Sequence, residues 1–303
     1  MQYLILAILC SSSIAMIFKI SEGNNLNRYV VTSSNYFIAF TISLIIAISK
    51  GLFRSYKGIF LVMGNEMKGV FLNGQTFTSN AMFAWAMISG LIAGVFFFLS
   101  FLYYQKSVKS SGAALSGTFS KLGILVPMVF SIFLWGEIPT VLQGIGIILS
   151  LGSIVAINLS KESIGTSNLR GSLVLLFFFG GIAEFSNKIF QQYGDSYYKD
   201  LFLFFVFLSA FIISFIFILI KNRRVSIKDI FTGFLVGIPN MFSSFFLILS
   251  LNYLNTSTAF TIYSTGSMLC INACSCLFFN ERLSRRELFC TVVIFLSIIL
   301  MSV

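Results

Sequence analysis

Long apolar stretches separated by short polar segments run along the whole chain of 303 residues. Leu201–Ile220 contains 20 residues without a charge, and Ile230–Asn280 contains 51. A helix needs about 20 apolar residues to cross a bilayer, and continuous apolar runs favour helices over a β-barrel. The pattern predicts an all-α integral membrane protein with ten transmembrane helices. Their predicted bounds are 2–20, 30–49, 80–104, 112–134, 139–158, 171–193, 200–220, 230–252, 257–279 and 286–302.

One arrangement of helices occurs twice along the chain. Lys109–Asn158 predicts two apolar helices joined at Glu137, and the end of the chain repeats this layout around Glu281, 144 residues later. We predict a first five-helix repeat over residues 1–160, a polar linker over 161–170 and a second five-helix repeat over 171–303. Because each half has an odd number of spans, the second repeat would be inverted in the membrane. Inverted repeats are typical of secondary transporters.

Composition agrees with a membrane location. The chain is 57% hydrophobic and 10% charged, whereas a soluble protein carries about 25% charged residues. Its net charge of +10 would suggest nucleic acid as the partner of a soluble protein. Here most lysines and arginines lie in predicted loops, where they orient helices and meet lipid headgroups. We therefore expect the lipid bilayer as a partner and no nucleic acid.

Two segments need a separate assignment. Met1–Phe18 lacks the basic start and cleavage site of a signal peptide, so we predict a retained first span. The longest loop, 50–79, is basic, and its apolar residues are too few to span. We predict that it lies on the membrane surface.

The cysteines do not form a convincing metal site. All five lie in predicted spans, and the chain contains no histidine. An odd number of cysteines in apolar helices indicates free thiols. Cys270, Cys274 and Cys276 lack a histidine or charged partner that would complete a metal site. No Gly-rich loop for a nucleotide is present, so we predict no metal and no cofactor.

A family resemblance is carried by Lys109–Asn158. Small residues lie at the start of its first helix, at Ser110–Ala114, and Pro127 follows Lys121 by six residues. The run LWGEIPTVLQGIGIILSLG covers the turn and most of the second helix. The segment resembles EamA-type members of the drug/metabolite transporter superfamily. That resemblance implies a ten-helix transporter of small metabolites or drugs in the plasma (inner) membrane, with both termini cytoplasmic. The loop charges favour an external amino terminus instead.

The first predicted helix resembles the first helix of small multidrug exporters, over Leu6–Lys19. Those exporters carry a coupling glutamate eight residues before the lysine. Ser11 stands at that position here, and Gly180 stands eight residues before Lys188 in the second repeat. The antiport mechanism of these exporters therefore does not transfer, and coupling to a proton or another ion stays open.

Three charged residues fall at predicted membrane depth. Lys121 lies near the middle of the fourth span, where a charge costs about 3 kcal/mol unless it has a partner or faces a cavity. It either binds a substrate carboxylate or phosphate, or it pairs with another helix. Glu184 and Lys188 are four residues apart and can pair with each other. Alternatively, Glu184 replaces the missing coupling carboxylate.

Neutral side chains complete the predicted substrate site. The candidates are Ser120, Asn187, Tyr263, Ser264, Asn35 and Trp85. Each can instead form a hydrogen bond between helices, and Trp85 can anchor the chain at the membrane interface. Glu137 and Glu281 are predicted to be structural, because a carboxylate is favoured at the first turn of the helix that follows. Pro127 and Pro239 predict kinks.

The leading hypothesis is a secondary transporter or facilitator for a small polar organic metabolite, an amino acid or a related zwitterion. A multidrug exporter and a non-transporting scaffold are the alternatives. We predict no enzymatic activity, because the chain has no histidine and few carboxylates at lipid depth. The sequence leaves the substrate, the direction of transport and the oligomeric state open.

Overall fold

The chain is helical throughout the part that its computed structural model describes, residues 1–21, 26–53, 58–111, 113–158, 171–220, 225–279 and 285–302. We number the helices α1 to α12 in chain order. They are Gln2–Ser21, Arg28–Ser49, Ile59–Asn73, Ser79–Ser111, Ala113–Leu122, Leu125–Trp135, Val141–Asn158, Gly171–Tyr193, Lys199–Ile220, Ile227–Ser250, Thr256–Phe279 and Arg285–Ser302. No strand occurs among these residues, which confirms the all-α class.

Each predicted span falls on one of these helices, except that the fourth is divided between α5 and α6. Six helices are long and apolar enough to cross a membrane: Arg28–Ser49, Ser79–Tyr104, Gly171–Tyr193, Ser196–Ile220, Ile227–Ser250 and Thr256–Phe278. Four apolar segments are shorter: Gln2–Phe18, Phe119–Trp135, Val141–Ala156 and Leu288–Met301. The chain is a multi-pass membrane protein. The count of ten spans and the inverted repeat stay predictions, and residues 161–170 and Glu281 lie outside the described residues.

The helices group into two compact units. The first consists of Met1–Ser12, Leu99–Phe185 and Tyr253–Val303. Within it, α7 packs against α12, and α11 packs against α6, α7 and α12. A Cβ on Gly146 would lie 2.8 Å from the Ser297 carbonyl oxygen, so the two helices approach closely because position 146 has no side chain. Ser150 and Ser297 share a hydrogen bond across the same contact.

The second unit consists of Ser13–Phe98 and Ser186–Asn252. Here α2 packs against both α9 and α10. The α10 glycines make this possible, since a Cβ on Gly237 would lie 2.5 Å from the Asn35 carbonyl oxygen. At its start α10 has a capping box in which Ser226 and Asp229 bond each other's backbone N–H. Asp229 also accepts a hydrogen bond from the Asn27 N–H at 2.9 Å, which fixes the beginning of α2 beside α10.

The predicted surface loop contains α3, a helix of 15 residues. Its Glu66 carboxylate accepts hydrogen bonds from the N–H and the hydroxyl of Thr78, at 2.9 and 2.6 Å. Because Thr78 immediately precedes α4, Glu66 satisfies donors that the start of a helix leaves unpaired. Whether α3 lies on the membrane surface stays a prediction.

The predicted kink at Pro127 takes the form of a short interruption at Gly123 and Ile124, four and three residues before the proline. α5 ends at Leu122 and α6 begins at Leu125. Proline has no N–H and cannot donate to the carbonyl oxygen of Gly123. The Val126 N–H donates to that oxygen instead, at 3.0 Å. At Pro239 no such interruption occurs, and α10 continues through the proline.

Candidate functional site

The break between α5 and α6 places Lys121 at a helix end. Lys121 lies in the last turn of α5, and its side chain is partly buried. The carboxyl end of a helix carries a partial negative charge that favours a cation. The interruption therefore gives Lys121 a local stabilisation that the interior of an unbroken span would lack.

Two glycines bring this break against α8. A Cβ on Gly181 would lie 2.5 Å from the Gly123 carbonyl oxygen and 2.5 Å from the Val126 Cβ. A Cβ on Gly123 would lie 3.2 Å from the Gly181 nitrogen. Small residues allow helix backbones to approach in a membrane. Sequence analysis missed this contact, although Gly180-Gly181 in a predicted span was a usable signal.

This contact puts opposite charges together. Glu184 follows Gly181 by one helical turn and lies on the same face of α8. Its carboxylate interacts electrostatically with the Lys121 ammonium, and both side chains are partly buried. The first unit therefore unites two of the predicted site residues at a discontinuous helix.

The other predicted residues of this unit lie nearby in the sequence or on α11. Ser120 precedes Lys121 and is partly buried. Tyr263 is partly buried and Ser264 is 1% exposed. The Ser264 hydroxyl has no hydrogen-bond partner within the described part of the chain. A buried polar atom of this kind needs an explanation, and a ligand or a water molecule supplies one.

An aromatic group adjoins Glu184 in the sequence. The ring of Phe185 stacks on Phe130 with centroids 5.1 Å apart and lies 5.7 Å from the Trp135 ring. Phe185 is buried. The first unit thus contains the Glu184 carboxylate on α8 and, beside it in the sequence, an aromatic group formed by Phe185 of α8 with Phe130 and Trp135 of α6.

The remaining predicted residues belong to the second unit. Lys188 is buried and donates to Gln191 Oε1 at 3.0 Å, and Asn187 is fully buried. The Asn35 side-chain oxygen accepts a hydrogen bond from Asn240 at 3.1 Å. That bond joins α2 to α10, which is the structural alternative considered for Asn35. A role in binding for these residues stays a prediction.

Trp85 is part of an aromatic cluster in the second unit. Its ring lies 5.0 Å from Phe77, 6.1 Å from Phe71 and 6.2 Å from Tyr193. The side chain is 8% exposed.

Glu137 has a structural contact at the start of a helix that was not the one predicted, and its predicted role at the following helix stays a prediction. Glu137 accepts a hydrogen bond from the Thr256 N–H at 2.8 Å, so it caps α11. The next helix, α7, is capped by Thr140 and Gln143, whose side chains accept from each other's backbone N–H groups. Thr140 and Gln143 have the spacing of a capping box, a signal that the sequence offered.

Sequence analysis also missed a buried ion cluster. Asp200, in the first turn of α9, is fully buried and lies 2.5 Å from the Lys50 ammonium and 3.9 Å from that of Lys199. The Lys199 ammonium also lies 4.2 Å from the centre of the Phe245 ring. Lys50 and Phe245 are distant in the chain from the adjacent residues Lys199 and Asp200, and no spacing pattern connected them.

Comparison with known proteins identifies the second half of the chain. Residues 171–303 match the EamA-like transporter family. The predicted resemblance to the drug/metabolite transporter superfamily is thereby confirmed, and the family match indicates a membrane transporter of this type. The motif-bearing segment Lys109–Asn158 lies outside the matched EamA residues.

Two further similarities cover nearly the whole chain. A Haemophilus influenzae protein described as uncharacterized is 24% identical over 291 residues, which are 94% of this chain and 92% of that protein. A crystal structure of a protein with 12% identity superposes with a TM-score of 0.72 and covers 99% of this chain and 96% of its own. At that identity the superposition shows the fold alone.

Proposed function

We propose that the protein is a secondary transporter for a small zwitterionic metabolite, an amino acid or a close relative. The observation that carries this proposal is the electrostatic pair of Lys121 and Glu184 at the α5–α6 break. An ionisable side chain inside a membrane segment is a candidate functional site by default.

The two charges suit the two ends of a zwitterion. Lys121 offers an ammonium to a substrate carboxylate, and Glu184 offers a carboxylate to a substrate ammonium. Without substrate, the two opposite charges attract each other, which lowers the cost of keeping both charges inside the membrane. The Ser264 hydroxyl, which has no hydrogen-bond partner among the described residues, is a further donor or acceptor in the same unit.

The interrupted helix supports a transport role. Transporters bind substrates and ions where helices are discontinuous, because helix ends and freed backbone groups provide ligands. We propose alternating access in the plasma membrane with both termini cytoplasmic, as the family resemblance implies. Glu184 is the proposed coupling group if transport is coupled to protons, since Ser11 and Gly180 occupy the positions of the missing carboxylates.

Counterflow of radiolabelled amino acids in proteoliposomes tests the proposal. Saturable exchange of at least one amino acid is expected in the native chain and should be lost in Lys121→Ala and Glu184→Gln. Lys68→Ala is the matched control, because Lys68 is an exposed lysine on α3. Exchange that survives both site changes would remove the pair from the substrate site.

A multidrug exporter is the second candidate, and the Phe130–Phe185–Trp135 group favours it. Aromatic faces attract organic cations, and Glu184 would neutralise the charge of such a substrate. This candidate predicts that overexpression raises resistance to aromatic cations and that Phe185→Ala removes the effect. It also predicts no amino acid counterflow, which separates it from the leading proposal.

A further inference from the structure

We infer that the second unit contains a separate binding site for uncharged polyhydroxyl solutes, sugars or polyols. The site is a cleft of about 900 Å³ between the segment that leads into α4 and the end of α8. Its volume lies in the usual range for small-molecule sites. Amides and hydroxyls dominate the lining, among them Gln191, Gln192, Asn252, Ser196 and Thr76.

Hydrogen bonds fix both walls of the cleft. The Phe77 N–H donates to the Tyr193 carbonyl oxygen at 3.0 Å, which joins the segment before α4 to the last residue of α8. Glu66 holds Thr78, the next residue along this wall, through two hydrogen bonds. The walls are therefore positioned before any ligand arrives, which lowers the entropic cost of binding.

The amides of the lining are oriented by one another. Gln191 Nε2 donates to Asn252 Oδ1 at 3.0 Å, and Asn252 Nδ2 donates to the Ser196 hydroxyl at 2.8 Å. Lys188 donates to Gln191 Oε1 at 3.0 Å. Each amide nitrogen carries two hydrogens and uses one in these bonds. The second hydrogen of each is available to a ligand hydroxyl.

A buried donor behind the wall lacks an acceptor. The indole nitrogen of Trp85 has no hydrogen-bond partner in the described part of the chain, and the residue is 8% exposed. A Cβ on Gly194, which lines the cleft, would lie 3.2 Å from Trp85 Cδ1, the ring atom bonded to that nitrogen. The pyrrole edge of the indole thus lies against the wall at Gly194. A solute bound at this wall would change the surroundings of the indole.

The charge of the lining selects the class of ligand. Among the described residues that line the cleft, Asp195 is the one charged residue, and Asp195 Oδ1 accepts a hydrogen bond from the Tyr197 N–H at 2.8 Å. Phosphates and carboxylates would meet a negative charge with no lining cation to balance it. Neutral solutes with several hydroxyls match the amides and hydroxyls without this penalty. The site is independent of Lys121 and Glu184, so it does not rest on the transport proposal.

Tryptophan fluorescence tests this site directly. The chain has two tryptophans, and Trp135→Phe leaves Trp85 as the sole reporter. The full-length variant, in phosphatidylcholine nanodiscs free of sugar-headed detergent, is titrated with maltose, sorbitol and glucose 6-phosphate. We expect a saturable change with maltose or sorbitol and none with glucose 6-phosphate. Thermal unfolding of the native chain with the same solutes checks that Trp135→Phe does not create the response.

Paired variants locate the response in the cleft. Gln192→Leu removes a lining amide that has no hydrogen bond to another described residue, and it should raise the Kd at least tenfold. Gln2→Leu makes the same change at an exposed position of α1 and should leave the Kd unchanged. Three results would overturn the inference. The first is the absence of a saturable response to maltose or sorbitol, and the second is an equal response to glucose 6-phosphate. The third is a Kd that stays the same in Gln192→Leu and Asn252→Leu.

Discussion

Gly181 and Gly123 face each other so closely that a Cβ on Gly181 would lie 2.5 Å from the Gly123 carbonyl oxygen. Gly123 belongs to the break between α5 and α6, and Gly181 belongs to α8. The contact sets the distance between Lys121, two residues before Gly123, and Glu184, three residues after Gly181. The positions of both charged groups therefore depend on residues 123 and 181 being glycines, which have no side chain beyond a hydrogen atom.

Gly181→Ala should separate these helices. The added Cβ meets backbone and a branched side chain, neither of which can rotate away, so we expect a loss of about 1–3 kcal/mol in the free energy of unfolding together with loss of transport. Gly180→Ala is the matched control, because its Cβ would meet only the Ser100 hydroxyl, at 3.3 Å. Thermal unfolding and counterflow measure both effects. Equal behaviour of the two variants would contradict this contact.

Lys121 and Glu184 should show energetic coupling. Lys121→Met and Glu184→Gln each leave a partly buried charge without its partner, whereas the double variant leaves none. A double-mutant cycle should therefore give a coupling of about 0.5–3 kcal/mol. Unfolding in detergent measures it, and Lys68→Met combined with Glu184→Gln provides the additive control. Additivity of the Lys121 and Glu184 changes would argue against a direct pair.

Glu137→Ala should loosen the start of α11 and leave α7 intact. Removal of a helix cap costs about 1 kcal/mol, and the donor that loses its partner is the Thr256 N–H. Hydrogen exchange should become faster at the first turn of α11. Thr140→Ala is the reciprocal variant, since it should accelerate exchange at the start of α7. Faster exchange of α7 in Glu137→Ala would mean that the carboxylate serves the adjacent helix after all.

The helices could be predicted from the sequence because an apolar run long enough to cross a bilayer has few alternative structures. The hydrogen bond between Glu137 and the Thr256 N–H could not be predicted. Local spacing favours the next helix, and only the tertiary fold brings Thr256 near. The contact of Lys50 with Asp200 could not be predicted for the same reason, since the two residues are 150 positions apart in the chain. Lys121 was found because a charge at lipid depth is conspicuous. Its partnership with Glu184 depends on two glycines that carry no polar signal.

Asn35 should contribute to stability more than to substrate binding. Asn35→Ala and Asn240→Ala each remove the hydrogen bond between α2 and α10, and such bonds contribute about 0.6 kcal/mol on average in membrane proteins. Both changes remove the same bond. The double variant should therefore be less stable than the more affected single variant by no more than that amount. In the counterflow assay, both single variants should have the native KM. A KM raised tenfold by Asn35→Ala alone would return Asn35 to the substrate site.

Asp200→Ala should be among the most destabilising changes in the second unit. Its carboxylate is fully buried and lies beside two ammonium groups, and the Lys199 side chain is only 7% exposed. Removal of one partner from a buried pair costs about 3–5 kcal/mol, because the remaining charge stays desolvated. Asp200→Ala with Lys199→Met should recover part of this loss, since the more buried ammonium is then absent. Thermal unfolding at low and high salt measures the effect, and salt should change it little because buried pairs are weakly screened. Full tolerance of Asp200→Ala would show that Lys50 and Lys199 reach water without the carboxylate.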